Sequence, residues 1–486
     1  MNTSSIIIVF CAILIPAALY FRRSWRVRKS IEDLSDFFPL KREYSSRQFR
    51  STTVAAGMSL ATVMIAFINL SPFLGISLAI SVLTFCLSFV ILYYCAPAIM
   101  HRNSGNQSIQ GFLGSAYKSD AVKKTALIFS LLGYLSIFSM ELLVGVTVLT
   151  PFLGEWVLAF AFVYLVFLVS YSMMSGFKAV IATDIWQLRF IMLSIVALVA
   201  HLFLSTRSAA DSVTFVEATR TIFSDWRAPL SFALGIAIMN IPAPISDAGT
   251  WQRLCAARDV STARRGIKQV ILLFLVLWSA LILCGNYYSA SGVFSSEQMN
   301  EAGSLMSAII TSMASGGILN SLLLFVFILG LFSAMISTAD SLLIVASQIF
   351  SMDLLRLHAH RQPNDSHPLR ATRLAMLAMA GISFAIFFIF HLLKMDVVQL
   401  VFAIYGAQLA MFPSVFAALF LFRKLDLIRA KHAALLSIAS GFTLAWMAAL
   451  YGRFSGSTDW QFYAPVVGLA GAIIVFAAAS IGAWKK

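Results

Sequence analysis

Thirteen apolar runs constrain this chain more than anything else in it. They fall at residues 3–21, 50–71, 75–100, 122–150, 155–174, 178–205, 229–254, 266–289, 319–352, 370–392, 396–422, 432–452 and 461–483. Each is about 20 residues or longer, enough to cross a hydrocarbon core of roughly 30 Å. With 60% hydrophobic and only 12% charged residues, the chain is not a soluble globular protein. The loops between the runs alternate in charge. One alternate set holds 29 of the 35 basic residues, from the Arg22–Arg50 cluster through Arg253, Arg258, Arg264, Arg265 and Lys268, then Arg356 and Arg361, to Lys485 and Lys486. Positive loops stay inside, so the N-terminus is expected outside and the C-terminus inside. The formal charge of +14 therefore marks topology and not a nucleic-acid partner.

The 22–49 loop is the longest polar block, so a single membrane domain is expected. An anchor helix and basic loop occupy 1–49, a first five-helix half 50–205, a second half 229–422, and two further helices 432–486. The first run lacks a preceding basic region and is read as an anchor, not a cleaved signal. Cys11, Cys86, Cys95, Cys255 and Cys284 show no CxxC spacing and are read as packing residues. No HExxH motif and no Ser/His nucleophile spacing is found, which argues against an intramembrane enzyme. His201, His391 and His432 lie near the ends of runs and are read as interfacial.

The ninth run carries Ser333, Ser337, Thr338, Asp340 and Ser341 within three helical turns. Ala334 stands three and four residues before Ser337 and Thr338, so its carbonyl and both hydroxyls lie on one turn. Neutral oxygens so grouped suit a small hard cation, and Asp340 and Ser341 extend the polar region. Any one hydroxyl fits interhelical packing equally well. An ionisable Asp inside the group favours function.

The seventh run, FALGIAIMNIPAPISDAGTWQR, crowds Asn240, Pro242, Pro244, Asp247 and Gly249 into its middle. Two prolines remove backbone donors and clash with the preceding turn, so this span is expected to break into half-helices. Unwound backbone at membrane depth is tolerated where it lines a cavity. Residues 302–316 are apolar but too short to cross, and read as a re-entrant hairpin over an external entrance.

Four tracts resemble the sodium/solute symporter family, whose members include sodium-coupled proline, sugar, sialic acid and pantothenate carriers. SGFKAVIATDIWQ (Ser175–Gln187) looks like the family's Gly-Gly-x-x-Ala-Val-x-x-Thr-Asp-x-x-Gln signature, with Ser175 for its first Gly. DAGTWQRLCAARDVSTARRG (Asp247–Gly266), SAMISTADSLLIVASQIFSMDLL (Ser333–Leu355) and SIQGFLGSAYKSDAVKK (Ser108–Lys124) are similar to three further stretches, in the family's order. The resemblance implies two inverted five-helix repeats, spans 2–6 and 7–11, each opening on a broken helix, with alternating access about the breaks. It implies a sodium ion held by the carbonyls of Thr62, Ile65 and Ala334 and the hydroxyls of Ser337 and Thr338. It also implies a second sodium, found in some members, near Asp184, Asp340 and Ser341. A salt bridge to Arg189, or to another cytoplasmic Arg, is the competing role for Asp184. Met64 stands where many relatives carry a polar residue.

Asn69, Glu141, Asn240, Asp247, Tyr405 and Gln408 are the polar candidates for a substrate-lining set. Glu141 and Asp247 favour a solute with a cationic or amide group. The resulting expectation is a sodium-coupled importer of a small polar organic solute, multi-pass in a plasma membrane such as a bacterial inner membrane. Its expected partners are that solute and the lipid bilayer, with Na+ as coupling ion, no organic cofactor, and a monomer or weak oligomer. Proton coupling through Glu141 or Asp184, or a sensor acting with a separate signalling partner, are the alternatives.

Overall fold

In the computed structural model the described residues are 3–103, 108–208, 214–224, 226–301, 303–357 and 367–485, and their regular structure is helical. Ala302 of the expected hairpin, and Arg361 and Lys486 of the basic set, lie outside them. Nine stretches among the described residues are long and apolar enough to cross a membrane, and a bent pair makes a tenth. One stretch, Asp120–Arg207, contains several helices, and a helix or broken helix stands at each of the thirteen expected positions.

The anchor is α1 (Thr3–Val27). A capping box between Ser45 and Gln48 starts α2 (Ser46–Gly57), which stops where Met58 and Ser59 leave helical geometry. The chain resumes as α3 (Leu60–Leu74), bent 60° from α2. Then come α4 (Ala79–Arg102), the short amphipathic α5 (Ile109–Ala116) and α6 (Asp120–Leu153).

α7 (Val157–Ser208) is two arms broken at Gly176, whose φ of 55° favours glycine. A Cβ there would sit 2.3 Å from the Phe37 carbonyl, so the loop behind α1 closes directly onto the break. The second half opens on α8 (Leu230–Asn240), α9 (Ala243–Ser246) and α10 (Ala248–Ala256), the interruption that Pro242, Pro244 and Asp247 foretell. It continues through α11 (Val260–Ala290), α12 (Leu305–Ser315), α13 (Ile318–Gln348), α14 (His367–Leu392) and α15 (Val397–Gln408). Last are α16 (Lys431–Ser455) and α17 (Thr458–Ala479).

Packing follows membrane rules. α16 and α17 approach through small residues: a Cβ on Gly441 would lie 2.7 Å from that of Ala472, and the Ser437 hydroxyl donates to the Ala472 carbonyl at 2.9 Å. Large apolar side chains such as Phe73, Val163 and Ile318 face outward, as lipid contact requires. α13 is the opposite case, its 325–348 portion enclosed nearly all round.

Outside the spans, charged straps fix the loops. Asp36 accepts from both Lys41 and Lys178 at 2.6 Å. Burial raises the Asp36 carboxyl, but the two lysines outweigh it and hold the group below its usual range. Asp353 binds Lys123 at 3.2 Å and accepts from Ser108, tying α5 and α6 to the end of the α13 stretch.

Candidate functional site: a cavity between two broken helices and a buried hydroxyl–carboxylate cluster

Where a helix ends, its last four carbonyls lose their partners, and its first four N–H groups have none. Two interrupted helices packed together therefore bring free backbone oxygens and nitrogens to one depth. Here α2–α3 and α8–α10 both contribute residues to a cavity of roughly 250 Å³. Thr53, Ala56, Ser59 and Thr62 come from the first break, and Asn240, Ser246, Asp247, Thr250 and Arg253 from the second. α13 supplies Thr338 and Ser341, and α15 supplies Tyr405 and Gln408. One wall is aromatic, with Phe85 stacked on Trp278 at 4.3 Å and Phe274 set edgewise against both.

The Thr338 hydroxyl donates to the Ala56 carbonyl at 3.2 Å. The expected carbonyl ligands Thr62 and Ile65 sit in the opening π-helical stretch of α3, Leu60–Ile65, directly after the break. Ala56 lies in the last turn of α2, where a carbonyl lacks a partner within its own helix and here accepts from Thr338. Thr62 still lines the cavity, whereas Ile65 and Met64 pack in the core. Ala334, directly before the hydroxyl turn, is fully buried.

Behind Thr338 runs a buried cluster. The Ser337 hydroxyl donates to Asp184 Oδ1 at 2.7 Å, and the Tyr171 hydroxyl donates to Asp340 Oδ2. Asp184 Oδ2 and Asp340 Oδ1 are buried and make no hydrogen bond of ordinary geometry among the described residues, with the Thr52 hydroxyl beside Asp184 and the Ser341 N–H beside Asp340. The structure thus brings Asp184, Ser337 and Asp340 together. Arg189 is elsewhere, its guanidinium over the Trp186 ring at 4.6 Å. Ser333 is held apart from the group by the Tyr20 hydroxyl at 2.7 Å.

Arg253 joins this cluster, although its sequence position suggested a loop charge marking topology. It is 9% exposed, lines the cavity, and donates from Nη2 to the Ser341 hydroxyl at 3.0 Å. Its charge acts on both Asp184 and Asp340. One signal was available: an arginine six residues after Asp247 is within two turns of a midplane break.

The expected substrate set divides. Asn240, Asp247, Tyr405 and Gln408 line the cavity. Asp247 caps α10, accepting from the Thr250 N–H at 2.6 Å and hydroxyl at 2.8 Å, while Oδ1 accepts from the Tyr134 hydroxyl at 3.0 Å. Asn240 donates to the Ser81 carbonyl and the Thr84 hydroxyl. Gln408 crosses α6 at Gly133, where a Cβ would collide with it, and its Nε2 is buried without a partner among the described residues.

Glu141 does not line the cavity. It is fully buried, accepts from the Ser59 hydroxyl, and lies against the N–H groups of Leu60 and Ala61. An acid at a helix N-terminus answers the orphan donors and the dipole there. Asn69 is also off the cavity: its Oδ1 accepts from the Met306 N–H at 2.9 Å, pinning the first turn of α12 to α3. On the other side of α12, Ser312 contacts His201 at 3.3 Å, and His201 is buried against the Tyr288 hydroxyl at 2.7 Å, not interfacial.

No family model and no curated protein matches this chain. Among solved structures it is similar to a Na+-coupled sialic acid symporter in a substrate-bound, outward-open state, with 15% identity, 99% of each chain covered and a TM-score of 0.78. It is also similar to a nucleobase-cation-symport-1 family transporter closed around bromovinylhydantoin, with 11% identity, 92% of this chain and 96% of that chain covered, and a TM-score of 0.56. A third is the Eremococcus coleocola manganese transporter, with 12% identity, 92% and 100% covered, and a TM-score of 0.54. At these identities the likeness establishes the fold. The chain is a multi-pass membrane protein with the polytopic helical fold of these transporters.

Proposed function

We propose that the protein is a sodium-coupled importer of a small polar organic solute, working by alternating access. The carrying observation is that two helix breaks meet at one cavity, whose edge is the Ala56 carbonyl and Thr338 hydroxyl of a buried polar cluster. The likeness in fold to a Na+-coupled symporter over nearly the whole chain supports the same reading. Sodium at Ala56, Ala334, Ser337 and Thr338 would clamp α13 to the broken α2–α3. Solute held between α3, α6, α10 and α15 would then allow α12 to close, pulled by Asn69. The protein acts as a monomer or weak oligomer in a plasma membrane such as a bacterial inner membrane, and carries out no chemical conversion.

The solute is one with a flat or apolar body and a cationic or amide group. Its body suits the Phe85–Trp278–Phe274 wall and its polar end Asp247. With Glu141 off the cavity, Asp247 alone carries this part of the reading.

A second reading, proton coupling, is favoured by the buried carboxyls of Asp184 and Asp340, each with an oxygen able to hold a proton. Reconstituted protein separates the two. An inward sodium gradient should drive uptake from a panel of amino acids, amides and other small cationic solutes at constant pH. Uptake driven equally by a pH gradient in sodium-free buffer would replace sodium by protons. Unchanged uptake and selectivity in Asp247→Asn would remove the cationic or amide class.

A further inference from the structure

We propose that Arg23 and Arg189 form the phosphate clasp of an anionic phospholipid, seated in the groove between α1 and the second arm of α7, in the leaflet next to the basic 22–49 loop. The inference stands apart from the ion and solute readings. Arg189 lies inside the sixth apolar run, where a guanidinium is costly without an opposite charge. It follows Lys178 by ~16 Å along the helix axis, and Lys178 is held by Asp36 of the 22–49 loop. Arg189, Leu193 and Val196 stand at i, i+4 and i+7 and are all exposed, so the arginine belongs to an outward, lipid-facing stripe.

Helical side chains lean toward the N-terminus of their own helix. The α7 arm beyond Gly176 runs away from the 22–49 loop and α1 runs toward it, so Arg189 leans back toward that loop while Arg23 leans deeper. The two meet at Trp186, with the Arg189 guanidinium 4.6 Å and that of Arg23 5.4 Å from the ring centroid. Phe190 backs the indole at 6.3 Å and meets Tyr20 of α1 at 6.5 Å, which fixes the platform. Two cations gathered at one ring repel each other where the dielectric is low. Asp184 is the only carboxylate on either helix, and it is turned to Ser337. Among the described residues, neither guanidinium pairs with a carboxylate or donates a hydrogen bond.

The missing partner is therefore an anion that reaches the groove from the bilayer. A phosphodiester presents two oxygens to two guanidiniums. Its acyl chains then run along Leu193 and Val196 of α7 and Ile15 of α1, all apolar and exposed. A zwitterionic head group would bring a further cation to the pair, so a net anionic one is selected. When filled, the site ties α1 to the arm that carries Asp184.

The test is native mass spectrometry of the purified full-length protein titrated with phosphatidylglycerol, phosphatidylcholine or inorganic phosphate. Wild type is compared with Arg189→Leu and Arg23→Leu/Arg189→Leu; leucine suits a lipid-facing position, and monodisperse elution checks that each variant folds. Wild type should bind its first phosphatidylglycerol about thirtyfold tighter than phosphatidylcholine, with roughly fivefold of that lost in Arg189→Leu and all of it in the double variant. Equal affinity for the two lipids in wild type would overturn the inference without recourse to any variant. An undiminished preference in the folded double variant would overturn it too. Inorganic phosphate displacing phosphatidylglycerol at equal concentration would mark a free-anion site, and a wild-type dimer split by the double substitution would mark a second copy over the groove. Either result removes the lipid.

Discussion

The two helix breaks that meet at the cavity are built in different ways. The second carries its own instructions: Pro242 and Pro244 prevent helix continuation, and Asp247 caps the helix that follows from within the same segment. The first has no proline. α2 simply ends at Gly57, and α3 begins under the Ser59 hydroxyl and the Glu141 carboxyl, the latter brought from α6 across 82 residues of chain. One break is specified by residues of its own segment. The other is tertiary and depends on a partner helix. A transporter that moves about its breaks gains a direct handle from the second arrangement, because shifting α6 shifts the cap of α3.

Glu141→Ala probes that difference hardest. It strips the buried acceptor from Ser59 and the carboxyl lying against the first N–H groups of α3, and should cost about 3 kcal/mol, read as a lower unfolding midpoint in detergent. Glu141→Gln keeps an acceptor and should recover most of it. If both variants unfold like wild type, the first break needs no tertiary cap and the contrast between the two breaks fails.

Asp247→Ala removes a local cap and should cost about 1 kcal/mol. Asp247→Asn retains capping capacity and should leave the midpoint nearly unchanged while altering solute selectivity. A larger loss for Asp247→Ala than for Glu141→Ala would invert the ranking of local and tertiary breaks.

The smallest effect is expected at the Asp36 strap, far from both breaks. Because Lys178 and Lys41 hold the Asp36 carboxyl below its unfolded value, its contribution is present above about pH 4 and is lost as pH falls through the lower folded value. Asp36→Asn should therefore lower the midpoint at neutral pH by an amount worth about 1 kcal/mol or less, with the gap closing in acid. A gap that widened in acid would have the wrong sign for this account.

Which parts were legible in the sequence follows from the same contrast. Span positions, the break at Pro242–Asp247 and the hydroxyl turn at Ser337–Thr338 are written in residue types whose chemistry is local. The first break is expected from family resemblance alone, since no Pro or Gly lies between Ser59 and Asn69. Carbonyl ligands are invisible in sequence because every residue has one; only the place where a helix stops frees it. Glu141 was recognised as costly inside a span, yet its partner, the helix start at Leu60, exists only once the fold is formed. Arg253 reads as one more basic loop residue until α10 turns it toward Ser341. Asn69 faces the first turn of α12 and not the cavity, a choice of face that the apolar neighbours Ile68 and Leu70 do not reveal.

The central claim is that Thr338, Ser337 and the Ala56 carbonyl form a sodium site at the first break. The most direct measurement is the unfolding midpoint of purified protein titrated with NaCl against choline chloride, for wild type and the double variant Ser337→Ala/Thr338→Ala. Sodium at a hundred times its dissociation constant should stabilise wild type by about 2.7 kcal/mol over choline and leave the double variant unmoved. Equal responses to sodium and choline in wild type, or an undiminished sodium response in the double variant, would contradict the account.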